Sequence, residues 1–315
     1  MHRKVLITGA NGFVARYLVP ALKSFGYEVI GVDIAHQPSW SVDKYYCCDL
    51  IECDAIRSLL SLEKPEAIVH LAAVSSVAQS WQTPVGSYLH NTTIFLNLVE
   101  SVRMLKLQTR IISVGSSEEY GNIQADDLPV VESHPLAPCS PYAVARVSQE
   151  QLSHIYANGY GLDIVMTRSF NQTGPGQRST FVIPSFVKQL SEGKAAGRSV
   201  VKVKTGDLSI VRDFLDVRDA VSAYMLLLEK GVSGEVYNIC SGKGIALREV
   251  LEIAAKIVGV KLDIEFDQSL VRPVDGHVVI GDNSKIRSIG WKIGYHLEKT
   301  IFDMINVSEE DILGK

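Results

Sequence analysis

A short apolar run, Val5-Leu6-Ile7, breaks at Thr8 into Gly9-Ala10-Asn11-Gly12-Phe13-Val14-Ala15 and continues as an amphipathic stretch to Phe25. No other segment constrains the fold as tightly. A strand that turns at once into a helix must cross over the sheet before the next strand can pair beside it, which commits the chain to parallel pairing. The glycines add chemistry. Gly9 permits the tight turn, and Gly12 lets a ligand approach the helix N-terminus, where free N–H groups and the helix dipole favour an anion. Ala15 is the small residue at which helix meets strand. In this setting the pattern reads as the pyrophosphate loop of a dinucleotide-binding fold, with Gly9, Asn11, Gly12, Phe13 and Val14 against the cofactor. A Gly-rich turn without a ligand is the alternative, and the strand-loop-helix context weighs against it.

The rest of the first half keeps the same rhythm. Strand candidates at Lys4–Thr8, Glu28–Asp33, Ala67–Leu71, Arg110–Gly115 and Asp163–Thr167 alternate with helical patterns at about Phe13–Phe25, Val85–Lys106 and Tyr142–Asn158. This is the order of an α/β Rossmann fold, a doubly wound parallel sheet. After Arg168 the regularity weakens into a Gly- and Pro-containing loop, Asn171-Gln172-Thr173-Gly174-Pro175-Gly176-Gln177. A helical Pro184–Leu190, a strand near Glu235–Ile239 and a helix at Leu247–Val258 follow. The expectation is a Rossmann domain from 1–169 with 213–240, and a smaller α/β substrate lobe from 170–212 with 241–315. At 315 residues and 46% hydrophobic content, the chain has material for both.

A formal net charge of −4 and a pI near 6.1 supply no basic field for nucleic acid, so any phosphate must meet a local site. The apolar N-terminal run is too short for a signal segment, and no run approaches bilayer-spanning length. The five cysteines, Cys47, Cys48, Cys53, Cys139 and Cys240, form no paired spacing with histidines that suits zinc, and their odd number argues against a disulfide framework. These features predict a cytoplasmic protein with no metal and no membrane or nucleic-acid partner.

Asp33 closes the second strand about twenty residues beyond the loop, where a carboxylate accepts both ribose hydroxyls of NAD and repels the extra phosphate of NADP. NAD(H) is therefore favoured, with NADP(H) possible. Cys48-Asp49-Leu50 follows a short strand and sets Asp49 and Leu50 at the adenine end. His70-Leu71-Ala72-Ala73 ends the fourth strand with Leu71, Ala72 and Ala73 under the cofactor, and Asn91 sits in a helix passing behind the site. With these matches the chain resembles the extended short-chain dehydrogenase/reductase family, the NAD-dependent epimerases and dehydratases, over nearly its whole length.

In that family a Ser or Thr at a strand end and a Tyr followed four residues later by Lys form the catalytic set. The matching segments here are Val114-Gly115-Ser116-Ser117-Glu118-Glu119-Tyr120-Gly121 and Ser140-Pro141-Tyr142-Ala143-Val144-Ala145-Arg146. The resemblance implies that Ser116 holds the substrate oxygen and Tyr142 passes it a proton while hydride moves to or from nicotinamide. A free tyrosine has a pKa of about 10 and needs a neighbouring cation to work near neutral pH. One helical turn supplies Arg146 where the family has Lys. Arginine keeps the charge but does not release a proton, and its planar fork is bulkier than an ammonium. A proton relay through this position, and its bonds to the nicotinamide ribose, are thus not carried over. Glu118 matches the Ser/Thr-x-Glu-x-Tyr-Gly of sugar-nucleotide 4,6-dehydratases, in which the Glu assists elimination of water. The branch of GDP-4-keto-6-deoxy-mannose reductases also carries Gly-Ser-Ser-Glu-Glu-Tyr-Gly, so Glu118 does not prove dehydration.

Phe170-Asn171-Gln172-Thr173-Gly174-Pro175-Gly176-Gln177 is similar to the Phe-Asn-His-x-Gly-Pro-Gly-Gln loop of that reductase branch, with Gln172 in place of His. The resemblance implies sugar-nucleotide contacts from Ser75, Ser117, Asn171, Phe181, Val182 and Lys188. Arg212 and Arg272 would clamp the diphosphate through paired guanidinium hydrogen bonds, and Asp275 would accept ribose hydroxyls. The charged run 212–219 reads as a solvated helix start with capping acids, so Asp216 and Asp219 are assigned no chemistry. The leading expectation is NAD(P)H-dependent reduction of the 4-keto group of a GDP-4-keto-6-deoxy hexose. The alternatives are a 4,6-dehydratase or epimerase that retains its cofactor, and a binding protein slowed by Arg146. The resemblance also implies a homodimer paired through Val85–Lys106 and Tyr142–Asn158.

Overall fold

Strand β1 (Arg3–Thr8) pairs in parallel with β2 (Tyr27–Asp33) on one side and with β4 (Ala67–His70) on the other. Around it lie β3 (Lys44–Cys47), β5 (Arg110–Ser116), β6 (Asp163–Ser169) and the strand Val236–Ile239, in the order 3-2-1-4-5-6 and then Val236–Ile239. The structure is a computed structural model and describes residues 3–271, 276 and 278–306. The chain grows outward in both directions from β1 and β4, so the loops beyond their C-terminal ends part and leave a crevice.

Both faces of this sheet are covered, which is why its strands read as unbroken apolar runs. Val5 and Ile7 of β1 enter the core beneath α1 (Phe13–Ser24), while Leu6 between them enters the opposite core. That second core is closed by α2 (Cys53–Glu63), α4 (Pro84–Met104) and α5 (Pro141–Tyr160), through Ile56, Leu60, Phe95, Leu98 and Tyr156. A short α3 (Val77–Gln82) precedes α4. Ser140 caps α5 by accepting from the Ala143 N–H at 3.1 Å, Pro141 occupies its first turn, and Gly161 ends it at φ 74°. This fixes where Tyr142 begins.

The smaller lobe packs α6 (Val182–Ala195) and α8 (Leu247–Val258) on the parallel pair Val200–Thr205 and Lys261–Phe266. A further sheet centres on Val211–Asp216, which pairs with Asn171–Thr173, Gly244–Ala246 and Val278–Val279. Helix α7 (Val217–Lys230) then returns to the first core beside α1. No helix among the described residues is long and apolar enough to cross a membrane.

In the run 212–219 the expected helix start and its capping acid are present, at Val217 and Asp216, but the expected solvation is not. The run is a buried strand leading into α7, and Asp213, Asp216 and Asp219 are only 0%, 3% and 3% exposed. Element ends leave backbone N–H groups without partners, and these carboxylates supply the acceptors. Asp213 accepts from the N–H groups of Ser241 and Gly242, and Asp219 from those of Gly294 and Tyr295. Asp216 caps α7 at Arg218 N and also accepts the Thr300 hydroxyl.

A second buried polar cluster joins β5, α5 and β6. Arg168 donates to both carboxylate oxygens of Glu150, at 2.8 and 2.7 Å, and its guanidinium lies 4.7 Å from the centre of the Tyr120 ring. Beside them Glu119 accepts the Ser116 N–H at 2.6 Å, while its Oε2 has no hydrogen-bond partner. Burial, reinforced by the Glu150 carboxylate, holds the Glu119 carboxyl well above the usual carboxylate range. The folded chain therefore keeps this proton after the unfolded chain has lost it, so Glu119 subtracts stability as pH rises above about 4.3. Glu119→Gln, which has no proton to lose, should match the parent in Tm near pH 4.5 and exceed it by roughly 2–4 °C at pH 8. Thermal unfolding at both pH values checks this; a gap that shrinks with rising pH refutes it.

Candidate functional site

The crevice is built by close backbone approach. Gly9 turns at φ 67°, and a Cβ there would lie 2.9 Å from the backbone of Ala72, beyond β4. Thr8 Oγ1 accepts the Ala72 N–H, which ties the ends of β1 and β4 together. At Gly12 a Cβ would sit 3.0 Å from the Gly9 carbonyl, and the first turn of α1 carries no acidic residue and no side-chain cap. That leaves its amide ends available to an anion, so the loop fits a dinucleotide pyrophosphate. Phe13 and Val14 open α1 beside it, and Leu71, Ala72 and Ala73 line the chain leaving β4. Asn91, buried on α4, clasps the Val74 backbone by accepting its N–H at 2.8 Å and donating to its carbonyl at 3.2 Å.

At the ribose end Asp33 accepts the N–H groups of Asn11 and Ala35, at 2.9 and 3.2 Å. The Asn11 amide turns away from the crevice. It donates to Gln37 O and Tyr45 Oη and accepts from Ser39 N, holding the loop after β2. Asp49 is exposed and accepts the Ile51 N–H, while Leu50 is buried in the second core.

The residues that the sequence marks as candidates for the chemistry gather near the end of β5. Ser116 ends that strand, and its Oγ accepts the Glu118 N–H at 3.3 Å. Tyr142 stands at the start of α5 with Arg146 one turn on, and Arg146 Nε donates to Tyr142 Oη at 3.1 Å. Arg146 Nη1 donates to the Val114 carbonyl at 3.1 Å and to Gln149 Oε1 at 2.6 Å, so the cation is anchored to the strand that carries Ser116. His70 lies close by, and burial together with the Arg146 charge pushes its pKa down to about 3. The imidazole stays neutral, leaving the guanidinium as the fixed positive charge at this end of the sheet.

Between sheet and lobe a cleft is lined by Ser117, Glu118, Cys139, Ser140, Asn171 and Arg212. Arg212 donates to the carbonyls of Val211 and Gly276, and Asn171 Nδ2 donates to the Asp213 carbonyl. The loop after Asn171 reaches back to the phosphate loop: Tyr17 Oη on α1 donates to the Pro175 carbonyl at 2.6 Å. The structure thus brings Ser116, Tyr142 and Arg146 together at one end of β5, and Ser117, Glu118, Asn171 and Arg212 around one cleft. Phe181 and Val182 open α6, and Ser75 is exposed before α3. Lys188 stands exposed on α6, 3.9 Å from Glu192, and does not line the cleft. Arg272 and Asp275 lie outside the described residues. Sequence reading passed over Gln149 and Glu119, although Gln149 follows Arg146 by three positions, a spacing that makes helical side chains neighbours.

The GDP-mannose 4,6 dehydratase family model matches residues 6–304. A GDP-6-deoxy-D-mannose reductase of Pseudomonas aeruginosa is 32% identical over 93% of this chain and 92% of its own. The structure of RMD from Pseudomonas aeruginosa complexed with NADPH superposes with a TM-score of 0.85 at 29% identity, covering 99% of both chains. A Thermus thermophilus UDP-glucose 4-epimerase in complex with NAD gives a TM-score of 0.84 at 26% identity, again over 99% of both chains. From the phosphate loop at its N-terminus to the lobe at its C-terminal end, this chain belongs to the GDP-mannose 4,6 dehydratase family.

Proposed function

We propose that this protein reduces the 4-keto group of a GDP-linked 4-keto-6-deoxy hexose to the alcohol, using a nicotinamide dinucleotide as hydride donor. The observation that carries the reading is the Arg146 Nε to Tyr142 Oη hydrogen bond, with Arg146 anchored to the Val114 carbonyl near the end of β5. Its likeness to the Pseudomonas reductase over nearly the full chain supports the substrate class. When bound, the dinucleotide supplies a hydride to the carbonyl carbon. Ser116 Oγ donates a hydrogen bond to the carbonyl oxygen, and Tyr142 Oη gives that oxygen its proton. Arg146 stabilises the negative charge left on Tyr142 until solvent restores the proton.

Gly9, Gly12, Phe13 and Val14 receive the pyrophosphate in this reading, while Leu71, Ala72 and Ala73 support the nicotinamide half. Asn11 and Asn91 shape the two banks of the crevice. Asp33 accepts the adenosine ribose hydroxyls, with Asp49 and Leu50 at the adenine. Residues 34–43 contain no Lys or Arg to receive a ribose phosphate, so NADH is the expected donor. Ser75, Ser117, Asn171, Phe181 and Val182 face the sugar nucleotide in this reading, Lys188 being set aside because it stands outside the cleft, and Arg212 with Arg272 and Asp275 takes the diphosphate and ribose. The lobe division 1–169 with 213–240, and 170–212 with 241–315, separates these two duties. Glu118 favours one second reading, a 4,6-dehydratase or epimerase, because its carboxylate lines the cleft next to Ser117.

Following nicotinamide absorbance with freshly generated GDP-4-keto-6-deoxy-mannose tests the reaction. NADH should be consumed, with kcat/KM above that for NADPH by about tenfold or more, since a phosphate set against Asp33 is a like-charge contact. Product formed without net consumption would replace the reductase by the second reading. Tyr142→Phe should lower kcat by about 10²–10⁴-fold, while Arg146→Lys preserves or raises it; appreciable turnover by Tyr142→Phe would sink the mechanism.

We also propose a homodimer through α4 and α5, whose outer faces expose Val85, Leu89 and Leu96, and Val144 and Ile155. Light scattering on the eluting protein should give twice the chain mass of 34.6 kDa. Leu89→Glu with Ile155→Glu should give the single-chain mass; a parent that elutes at that mass excludes the dimer.

A further inference from the structure

The interface between α5 and the sheet is apolar along most of its length, with Tyr156, Ile111, Ile164 and Met166 packed in one core. One stretch of it is not. Gln149, 1% exposed, lies there with each polar atom of its side chain engaged: Oε1 accepts from Arg146 Nη1 at 2.6 Å, and Nε2 donates to Ser113 Oγ at 2.9 Å and to the Val114 carbonyl at 3.1 Å. Ser153, one turn further along α5, donates its hydroxyl to the Gln149 carbonyl at 2.9 Å and lies 3.1 Å from Ser113 Oγ, whose own hydroxyl proton serves that contact. A buried amide that lacks partners costs free energy, whereas a fully satisfied network is rigid and has one arrangement.

A guanidinium differs from an ammonium in what it requires. Its five N–H groups lie in one plane, so pinning one Nη fixes the direction in which Nε points, whereas an ammonium rotates to suit its acceptor. Here Nη1 is pinned twice, to Val114 and to Gln149, and both anchors belong to β5 directly or through Gln149. With the fork held in that plane, Nε faces Tyr142 Oη. We infer that Gln149 is a positioning residue that allows an arginine to serve as the cation beside Tyr142, by locking the guanidinium plane to β5 so that Nε addresses the phenolic oxygen. This rests on the reading of Tyr142 and Arg146 as the proton-transfer pair.

Among the described residues Tyr142 on α5, His70 at the end of β4 and Tyr224 on α7 face Arg146. Burial keeps His70 neutral down to about pH 3 and pushes the Tyr224 phenol up to about 12, so neither of these two changes charge near neutrality.

Gln149→Met keeps the volume and removes the amide, and it is made in the parent and in Arg146→Lys. In the arginine background kcat should fall by roughly 10- to 100-fold, the scale of a misplaced catalytic group, with KM for the sugar nucleotide changed little. The basic limb of the kcat profile should also move to higher pH. In the lysine background the same substitution should change kcat by no more than about threefold, because contacts that share a partner are the ones that couple. An equal fall in both backgrounds with an unmoved pH limb, or no fall in the arginine background, overturns the inference. If Arg146→Lys is itself too slow to measure, the pH limb of Gln149→Met in the arginine background decides alone. Dinucleotide binding by fluorescence and thermal unfolding of all four proteins show that each is folded. Turnover by Tyr142→Phe would instead refute the underlying reading, whatever Gln149→Met does.

Discussion

At Gly9 the chain leaves β1 with its backbone pressed against that of Ala72, so close that a methyl group would lie 2.9 Å from two of its atoms. Everything that gives this fold a site follows from that contact. It places the first amides of α1 across from the loop leaving β4, and the Thr8 hydroxyl and the Asn91 amide hold that loop in register. The crevice therefore has two banks of fixed backbone, not two mobile loops. Its width is set by hydrogen bonds within the chain itself.

Polar groups in the interior follow one rule: each buried charge or amide terminates an element or orients a neighbour. Asp213, Asp216 and Asp219 receive backbone N–H groups that the ends of strands and helices leave over. Glu63 gathers Lys4, Lys44 and Tyr46 at the opposite end of the sheet, and its three donors outweigh the cost of burial to hold its carboxyl down at about 2. Glu150 takes the Arg168 fork on the face of α5 that also presents Tyr142 and Arg146. Helix α5 is thus tied to β6 by an ion pair and to β5 by amide and guanidinium bonds. Its position does not depend on apolar packing alone.

Much of this was legible beforehand because the signals were periodic. The strands β1, β2, β4, β5 and β6 appear within one or two residues of where apolar β-branched runs placed them, and Leu247–Val258 is a helix with the expected bounds. Spacing and resemblance singled out the loop at Gly9–Gly12, Ser116 and the Tyr142–Arg146 pair, and Tyr142 and Arg146 lie one hydrogen bond apart. What escaped was decided by long-range pairing. The run 212–219 carries charges that suggest solvent, yet its first half is the central strand of a small sheet whose partners lie about residues 171–173, 244–246 and 278–279. Helix α2 also escaped: it has its buried apolar residues, Ile56, Leu59 and Leu60, at helical spacing, but the stripe is only three residues long before it ends on Glu63. Gln149 looked like any polar residue on an amphipathic helix, and only the facing Ser113 and Val114 reveal that it points inward.

The bond from Tyr17 to the Pro175 carbonyl joins the second turn of α1 to the loop that follows Asn171. The same helix therefore carries the open amides beside Gly12 and also holds the loop after Asn171 in place. A substitution that displaced the start of α1 would reach residues 174–176 through this one bond.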